Sequence, residues 1–269
     1  MKIHSICLVK NEEDIIEYCL QEASRWSDFI YVYDNGSTDA TWKKVIAIAS
    51  DKIIPWKQDG KPFREALRGE VFNQFQHKAS PGDWWCRLDA DEFYVRSPKE
   101  FLAAVPSHHH VVWGIAIEYY LTHTDIEHID FDRPIQDIIS DIRYYKVENS
   151  ETRFFKHRKG LDWGENDSWP KHVGIVTPKR IAYRHYKYRT PQQIQLRLDT
   201  RRQAIARGFP GWEHAQADDW REKLTEAERL HYDAKDNSLQ IDSTKLPQHL
   251  EPIKRRLLKR MMHAMGVWA

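Results

Sequence analysis

Short apolar runs alternate with amphipathic segments along the first part of the chain. Four runs have the length and composition of buried strands, at residues 3–9, 29–33, 52–56 and 84–88. The segments between them carry apolar side chains at helical spacing and predict helices over residues 13–26, 40–49 and 63–78. Because strands and helices alternate, we expect right-handed crossovers and a mostly parallel central sheet.

The pattern is less regular after Phe93. Further strands are predicted over residues 111–118, 152–156 and 181–183, and Pro191 begins a helix that runs to about residue 207. Residues 122–150 are polar without a clean period, which predicts a long loop with short elements. From residue 208 onward we expect an aromatic loop and then helices. The predicted organisation is an α/β domain over residues 1–205 and a helical C-terminal extension over residues 206–269.

Composition narrows the class of protein. The 269 residues are 41% hydrophobic and 30% charged, as in a folded globular protein. A net charge of +1 argues against nucleic acid as a partner. The three scattered cysteines give no disulfide framework, and we see neither a signal peptide nor a membrane span. We therefore expect a cytoplasmic protein, either free or at the inner face of the membrane.

Polar motifs follow three of the predicted parallel strands. They are Lys10-Asn11-Glu12, Asp34 to Asp39, and Asp89 to Glu92. The carboxyl ends of parallel strands lie at one edge of a sheet, so these motifs are predicted to line one cleft. Asp89 and Asp91 alternate along an extended chain and share a face, where their charges repel unless a cation lies between them. A divalent ion with oxygen ligands would neutralise them.

Together these motifs resemble the GT-A glycosyltransferases of family 2 type. The resemblance covers residues 1 to about 120 well and continues more loosely to about 205. It implies a three-layer, Rossmann-like GT-A fold and metal-dependent transfer of a sugar from a nucleotide-sugar donor, UDP-linked, to a glycan or lipid-linked acceptor. The implied setting is polysaccharide or glycoconjugate biosynthesis. Inversion of configuration is expected, although retention stays open because the sequence does not show where an acceptor enters.

The resemblance also implies roles for individual residues. Asp89, Asp91 and His185 would hold Mn²⁺ or Mg²⁺, with His172 as a competing ligand. The nucleotide sugar would contact Asn11, Glu12, Asp34, Asp39, Arg68, Asp89, Lys187 and Arg189. An inverting transfer needs a base, and the candidates are Asp162, Glu165 and Asp167, which lie among tryptophans suited to stacking on sugar rings.

Two other functions stay open from the sequence. A sugar nucleotidyltransferase would normally carry a glycine-rich phosphate loop after its first strand, and residues 10–13 contain no glycine. A non-catalytic carbohydrate-binding protein on the same fold is disfavoured by the intact acids of the third motif. Near the C-terminus, residues 253–265 mix basic and apolar side chains. A helix packed on its own domain is the simpler interpretation, and a basic interfacial helix in peripheral contact with a membrane is the alternative.

Overall fold

The computed structural model describes residues 1–206, 208, 217–236 and 238–266, without the side chain of residue 263. The strands are β1 (Ile3–Val9), β2 (Phe29–Asp34), β3 (Ile53–Gln58), β4 (Trp84–Leu88), β5 (Glu92–Tyr94), β6 (Val111–Tyr120), β7 (Tyr144–Lys156), β8 (Val176–His185) and β9 (His231–Tyr232). The helices are α1 (Ile16–Ala23), α2 (Thr41–Ala47), α3 (Leu67–Phe75), α4 (Pro98–Ala103), α5 (His123–His128), α6 (Ile135–Asp141), α7 (Pro191–Ala206) and α8 (Ile253–Ala264).

The nine strands of the described residues belong to one sheet. Its order is β3-β2-β1-β4-β7-β6-β8-β5, and β9 pairs with the first two residues of β7. The first four strands are mutually parallel, as the alternating sequence pattern predicts. Beyond β4 the prediction of a mostly parallel sheet is wrong, because β7 is antiparallel to both β4 and β6, and β5 is antiparallel to β8. The sheet as a whole is mixed.

Strand β7 explains this difference. Its first half lies in the segment that was predicted to be a loop, where Lys146 is half-buried and Glu148 is exposed. The strand pairs with β6 from Tyr144 opposite Tyr120 to Phe155 opposite Val111. Long-range pairing with β6 therefore overrides the polar local sequence, and only its apolar end could be predicted.

The sheet is covered on both faces. Side chains of β1 alternate, so that Cys7 and Val9 pack into one apolar cluster with α1, α2 and α4, while Ile6 and Leu8 pack into another with α3. The arrangement has the three layers expected of a Rossmann-like α/β fold. A third cluster joins β6 and β7 to α6 and α7.

The described part of the C-terminal segment contains little α-helix before α8. Residues 220–223, 227–229 and 243–245 form short 3₁₀ turns, and β9 adds to the sheet. Apolar side chains of this segment, including Trp220 and Leu224, pack against the third cluster. The aromatic loop predicted from residue 208 lies largely outside the described residues. No helix in the described ranges is long and apolar enough to span a bilayer.

Gly69 allows α3 to pack closely against the Trp163 indole. A Cβ atom at this position would lie 2.8 Å from Trp163 Cδ1. We expect Gly69→Ala to lower the free energy of unfolding by about 1–2 kcal/mol, since overpacking outweighs the gain in helix propensity. Urea unfolding measures this change. Gly60→Ala is the control, because its Cβ would meet nothing within 4 Å. An equally stable Gly69→Ala variant would contradict the close approach.

Candidate functional site

The three polar motifs meet at one edge of the sheet. Val9, the last residue of β1, lies opposite Asp34, and Leu88, just before Asp89, lies opposite Cys7. The ends of β2 and β4 therefore flank the end of β1, and two strand spacings separate them by roughly 10 Å. The structure brings these motifs together as the sequence predicts.

The end of β2 presents two buried acceptors with spare capacity. Asp34 Oδ1 accepts the backbone N–H of Ser37 at 2.6 Å, and the Asn35 side chain donates to the Lys61 carbonyl at 2.8 Å. Within the described ranges, Asp34 Oδ2 and Asn35 Oδ1 are buried without a hydrogen-bond partner. Buried acceptors are costly when unpaired, so this position suits a ligand that donates hydroxyl or N–H groups.

Asn11 and Asp39 shape the adjoining loops. Asn11 has a positive φ of 54°, and its side chain joins the Thr38 backbone to the Thr200 hydroxyl. Asp39 accepts the backbone N–H groups of Thr41 and Glu13. Both side chains thus hold the first and second motifs together, and contact of either with a nucleotide stays a prediction.

Arginines surround Asp89. Arg68 of α3 donates to its Oδ1 at 2.6 Å, and Arg153 of β7 and Arg87 of β4 donate to its Oδ2 at 3.1 and 3.3 Å. Burial alone would raise the pKa of Asp89, but the charges of Arg87, Arg68 and Arg153 together hold it well below its usual range. Arg68 thus contacts this acid, and its predicted contact with the donor stays a prediction.

Glu92 is the most deeply enclosed acid of the third motif. Its Oε1 accepts a hydrogen bond from Arg153, while its Oε2 is buried without a partner in the described part of the chain. Burial raises the pKa of Glu92, and the nearby charges of Asp89 and Asp91 raise it further against the opposing effect of Arg153. Arg153 therefore links β7 to two acids of the third motif.

Asp91 lies with His185 and Arg197. His185 Nε2 is 3.4 Å from Asp91 Oδ2, and Arg197 of α7 donates to the same oxygen at 3.0 Å. Burial would raise the pKa of Asp91, but His185, Arg197 and Arg189 hold it far below its usual range. The carboxylate is thus charged, and a residue 94 positions later in the sequence brings an imidazole beside it.

The predicted metal ligands fit a cation to different degrees. Asp91 and His185 already adjoin, and carboxylate with imidazole is a donor set suited to Mn²⁺. Asp89 accepts three arginine hydrogen bonds, so fewer of its acceptor sites remain for a metal than those of Asp91. No group of three or more histidine, cysteine or acidic side chains in the described ranges is placed to hold a metal. A metal here would need the oxygens of a bound ligand.

Lys187 and Arg189 are engaged with protein acids. Lys187 pairs with Glu118, which lies opposite His185 in the neighbouring strand. Arg189 is fully buried and donates to both oxygens of Asp14, at 2.6 and 2.7 Å, as well as to Glu12. Arg189 joins the first motif to the β8–α7 connection, and a role for either cation on a diphosphate stays a prediction.

The candidate bases lie on a loop that packs on α3. Asp162 and Glu165 are exposed, and Asp167 pairs with Lys171 at 3.1 Å. The loop is fixed by Trp163, whose carbonyl accepts from Asn73 of α3 at 2.9 Å. It adjoins the helix that supplies Arg68 to Asp89.

The competing ligand His172 occupies a different part of the fold. It has a φ of 61°, and its carbonyl accepts a hydrogen bond from Arg158. His172 precedes the amino end of β8, whereas His185 is the last residue of that strand. The structure therefore brings His185, and not His172, beside Asp91.

Sequence reasoning missed Arg153 and Arg197. Arg197 also contacts Glu12 at 3.3 Å, so it connects the first and third motifs. A signal was present, since Arg197 precedes buried Leu198 and lies one turn after buried Ile194 on α7. Arg153 immediately precedes the buried pair Phe154 and Phe155, and a charge there requires a buried partner.

Comparison with models of known protein families finds no match to this chain, and comparison with curated protein sequences finds none either. The resemblance to GT-A enzymes therefore stays a prediction from the sequence motifs.

Arg153 is expected to be essential for stability. Arg153→Met leaves Glu92 buried without its cation, and we expect a loss of about 3–5 kcal/mol in the free energy of unfolding at neutral pH. Burial raises the pKa of Glu92, so this group binds a proton more tightly in the folded state. The loss should therefore shrink as pH falls towards the ordinary glutamate pKa of about 4.3. Urea unfolding at several pH values measures both effects.

Arg25→Met is the matched control, because Arg25 is exposed and pairs with neighbouring Glu22 on the surface. Its cost should stay below about 1 kcal/mol and vary little with pH. If both substitutions cost the same, the ion pairs of Arg153 contribute no more than a surface pair.

Proposed function

We propose that this protein is a GT-A glycosyltransferase of family 2 type that uses a nucleotide-sugar donor. The observation that carries the proposal is the edge of the sheet where an unpaired carboxylate oxygen of Asp34 and the Asp91–His185 pair flank the end of β1. Ligands of open α/β folds bind at this edge. The spacing of roughly 10 Å between the ends of β2 and β4, on either side of β1, suits a nucleoside at one end and a diphosphate at the other.

The nucleoside is assigned to the end of β2. Asp34 Oδ2 and Asn35 Oδ1 would accept hydrogen bonds from ribose hydroxyls or from a base N–H such as that of uracil. Asp34 is fully buried, so these bonds would form away from competing water. Uridine diphosphate is therefore the first donor nucleotide to test.

The diphosphate is assigned to the ends of β4 and β8. Asp91 and His185 would hold Mn²⁺ or Mg²⁺, which supplies positive charge to the leaving nucleoside diphosphate. Arg197 donates a hydrogen bond to Asp91 and adds a positive charge beside the assigned diphosphate position. Asp89, fixed by Arg68 and Arg153, is placed to orient this region through its charge and hydrogen bonds rather than as a direct ligand.

The transfer itself exchanges one bond for another. The acceptor hydroxyl oxygen forms a bond to the anomeric carbon, the bond from that carbon to the diphosphate oxygen breaks, and the diphosphate leaves with the electron pair. The hydroxyl proton passes to a carboxylate. Asp162, Glu165 and Asp167 are the proposed bases, on the loop beside α3. A glycan or lipid-linked hydroxyl is the proposed acceptor.

Calorimetry with uridine diphosphate, with and without Mn²⁺, tests the site. The unaltered protein should bind more tightly when Mn²⁺ is present, and Asp91→Asn should remove that gain. Asp34→Asn should weaken binding about tenfold or more, because it removes the charge of the carboxylate that accepts from the nucleoside. The dependence on Mn²⁺ should survive in Asp34→Asn, since the two substitutions affect different parts of the ligand.

Glu127→Gln is the control, an acid exposed on α5 away from the three motifs. It should bind as the unaltered protein does. Binding that does not depend on Mn²⁺, or no binding of any nucleoside diphosphate, would contradict the transferase proposal. The donor is then identified by measuring which nucleotide sugar of a panel releases nucleoside diphosphate in the presence of the protein.

A further inference from the structure

Helix α8 presents its apolar side chains to solvent. Ile253, Leu257 and Met261 recur every four residues and are 67%, 53% and 61% exposed. Residues at this spacing share one face of a helix. A surface helix normally turns its apolar face to the core and its charged face to water. In α8 this apolar face points to solvent instead.

The opposite side of α8 faces its own domain. Lys259 and Met262 are partly buried, and Lys259 pairs with Glu251 just before the helix. Leu258, Lys259 and Met262 line one cavity together with residues 172–174. This side of the helix thus faces the domain, which leaves the face of Ile253, Leu257 and Met261 uncovered.

The charge of α8 indicates what covers this face. The helix carries five basic residues and no acidic one, at positions Lys254, Arg255, Arg256, Lys259 and Arg260. Lys254 and Arg260 are exposed on the side of the apolar side chains. A second copy of the chain would bring two such basic helices together in a symmetric contact, and their charges would repel. An anionic lipid surface offers both apolar depth and negative charge.

We propose that α8 is an interfacial helix that docks this protein on an anionic membrane surface. The apolar side chains enter the boundary between headgroups and acyl chains, and the flanking basic side chains bind the headgroups. The proposal is independent of the glycosyltransferase function, because it uses none of the residues assigned to the donor site.

The docking helix and the donor site lie at opposite ends of the strands. The loop against α8 leads into the first residue of β8, whereas His185 is its last. Ten strand residues separate these ends by roughly 30 Å. A protein docked through α8 therefore keeps its donor site away from the bilayer surface and open to nucleotides in water.

Cosedimentation of the full chain with lipid vesicles tests the proposal. We expect binding to vesicles of phosphatidylcholine mixed with phosphatidylglycerol, and little binding to phosphatidylcholine alone. The double variant Leu257→Ser with Met261→Ser should weaken vesicle binding by about tenfold or more, since it removes two inserted side chains. The double variant Lys254→Gln with Arg260→Gln should weaken binding to the anionic vesicles and reduce its dependence on salt.

Ile46→Ser is the matched control, because Ile46 is 50% exposed on α2, outside the proposed surface. It should bind vesicles as the unaltered chain does, and thermal unfolding should show all variants folded. Absence of vesicle binding would overturn the proposal, as would binding that the Leu257 and Met261 substitutions leave unchanged. Sedimentation velocity tests the alternative. A dimer that dissociates in the Leu257 and Met261 variant would also contradict the proposal.

Discussion

Compensation of acidic side chains by arginine is the interaction on which this edge of the sheet depends. The end of β4 places Asp89, Asp91 and Glu92 in a few residues of chain, all largely enclosed by protein. Burying such charges without partners costs several kcal/mol each. Arginines from three separate elements supply the partners: Arg68 from α3, Arg153 from β7 and Arg197 from α7. The acids therefore determine which elements must converge here.

This requirement links the two halves of the fold. Strand β7 departs from the parallel pattern, yet it delivers Arg153 to Asp89 and Glu92 because it lies beside β4 in the sheet. Helix α7 is distant in sequence from β1, and Arg197 joins Glu12 to Asp91 across the cleft. Arg189 adds a buried contact between the same regions through Asp14. The parallel half thus provides the acids, and the mixed half provides most of the cations.

Local pattern was sufficient to predict the parallel half. The strands up to Leu88 are apolar runs bounded by helices, so their type and order follow from periodicity, and the three motifs fall at their carboxyl ends. The mixed half depends on pairing between residues far apart in sequence, such as Tyr144 opposite Tyr120. The polar residues of β7 do not follow a strand pattern, so this pairing could not be predicted. The acids of the candidate site lie in the parallel half and could be predicted. Arg153 lies on β7, so its partners could not be assigned without the order of the strands in the sheet.

The arrangement also explains why the two aspartates of the third motif differ. Asp89 follows β4 directly and faces Arg68, Arg87 and Arg153, which occupy both of its oxygens. Asp91 lies two residues further, where the chain turns into β5 and meets His185 at the end of β8. An acid that accepts three arginine hydrogen bonds is a fixed anion, whereas one beside an imidazole keeps a donor set that can accept a cation. Identical side chains two residues apart therefore acquire different chemistry from the strands that approach them.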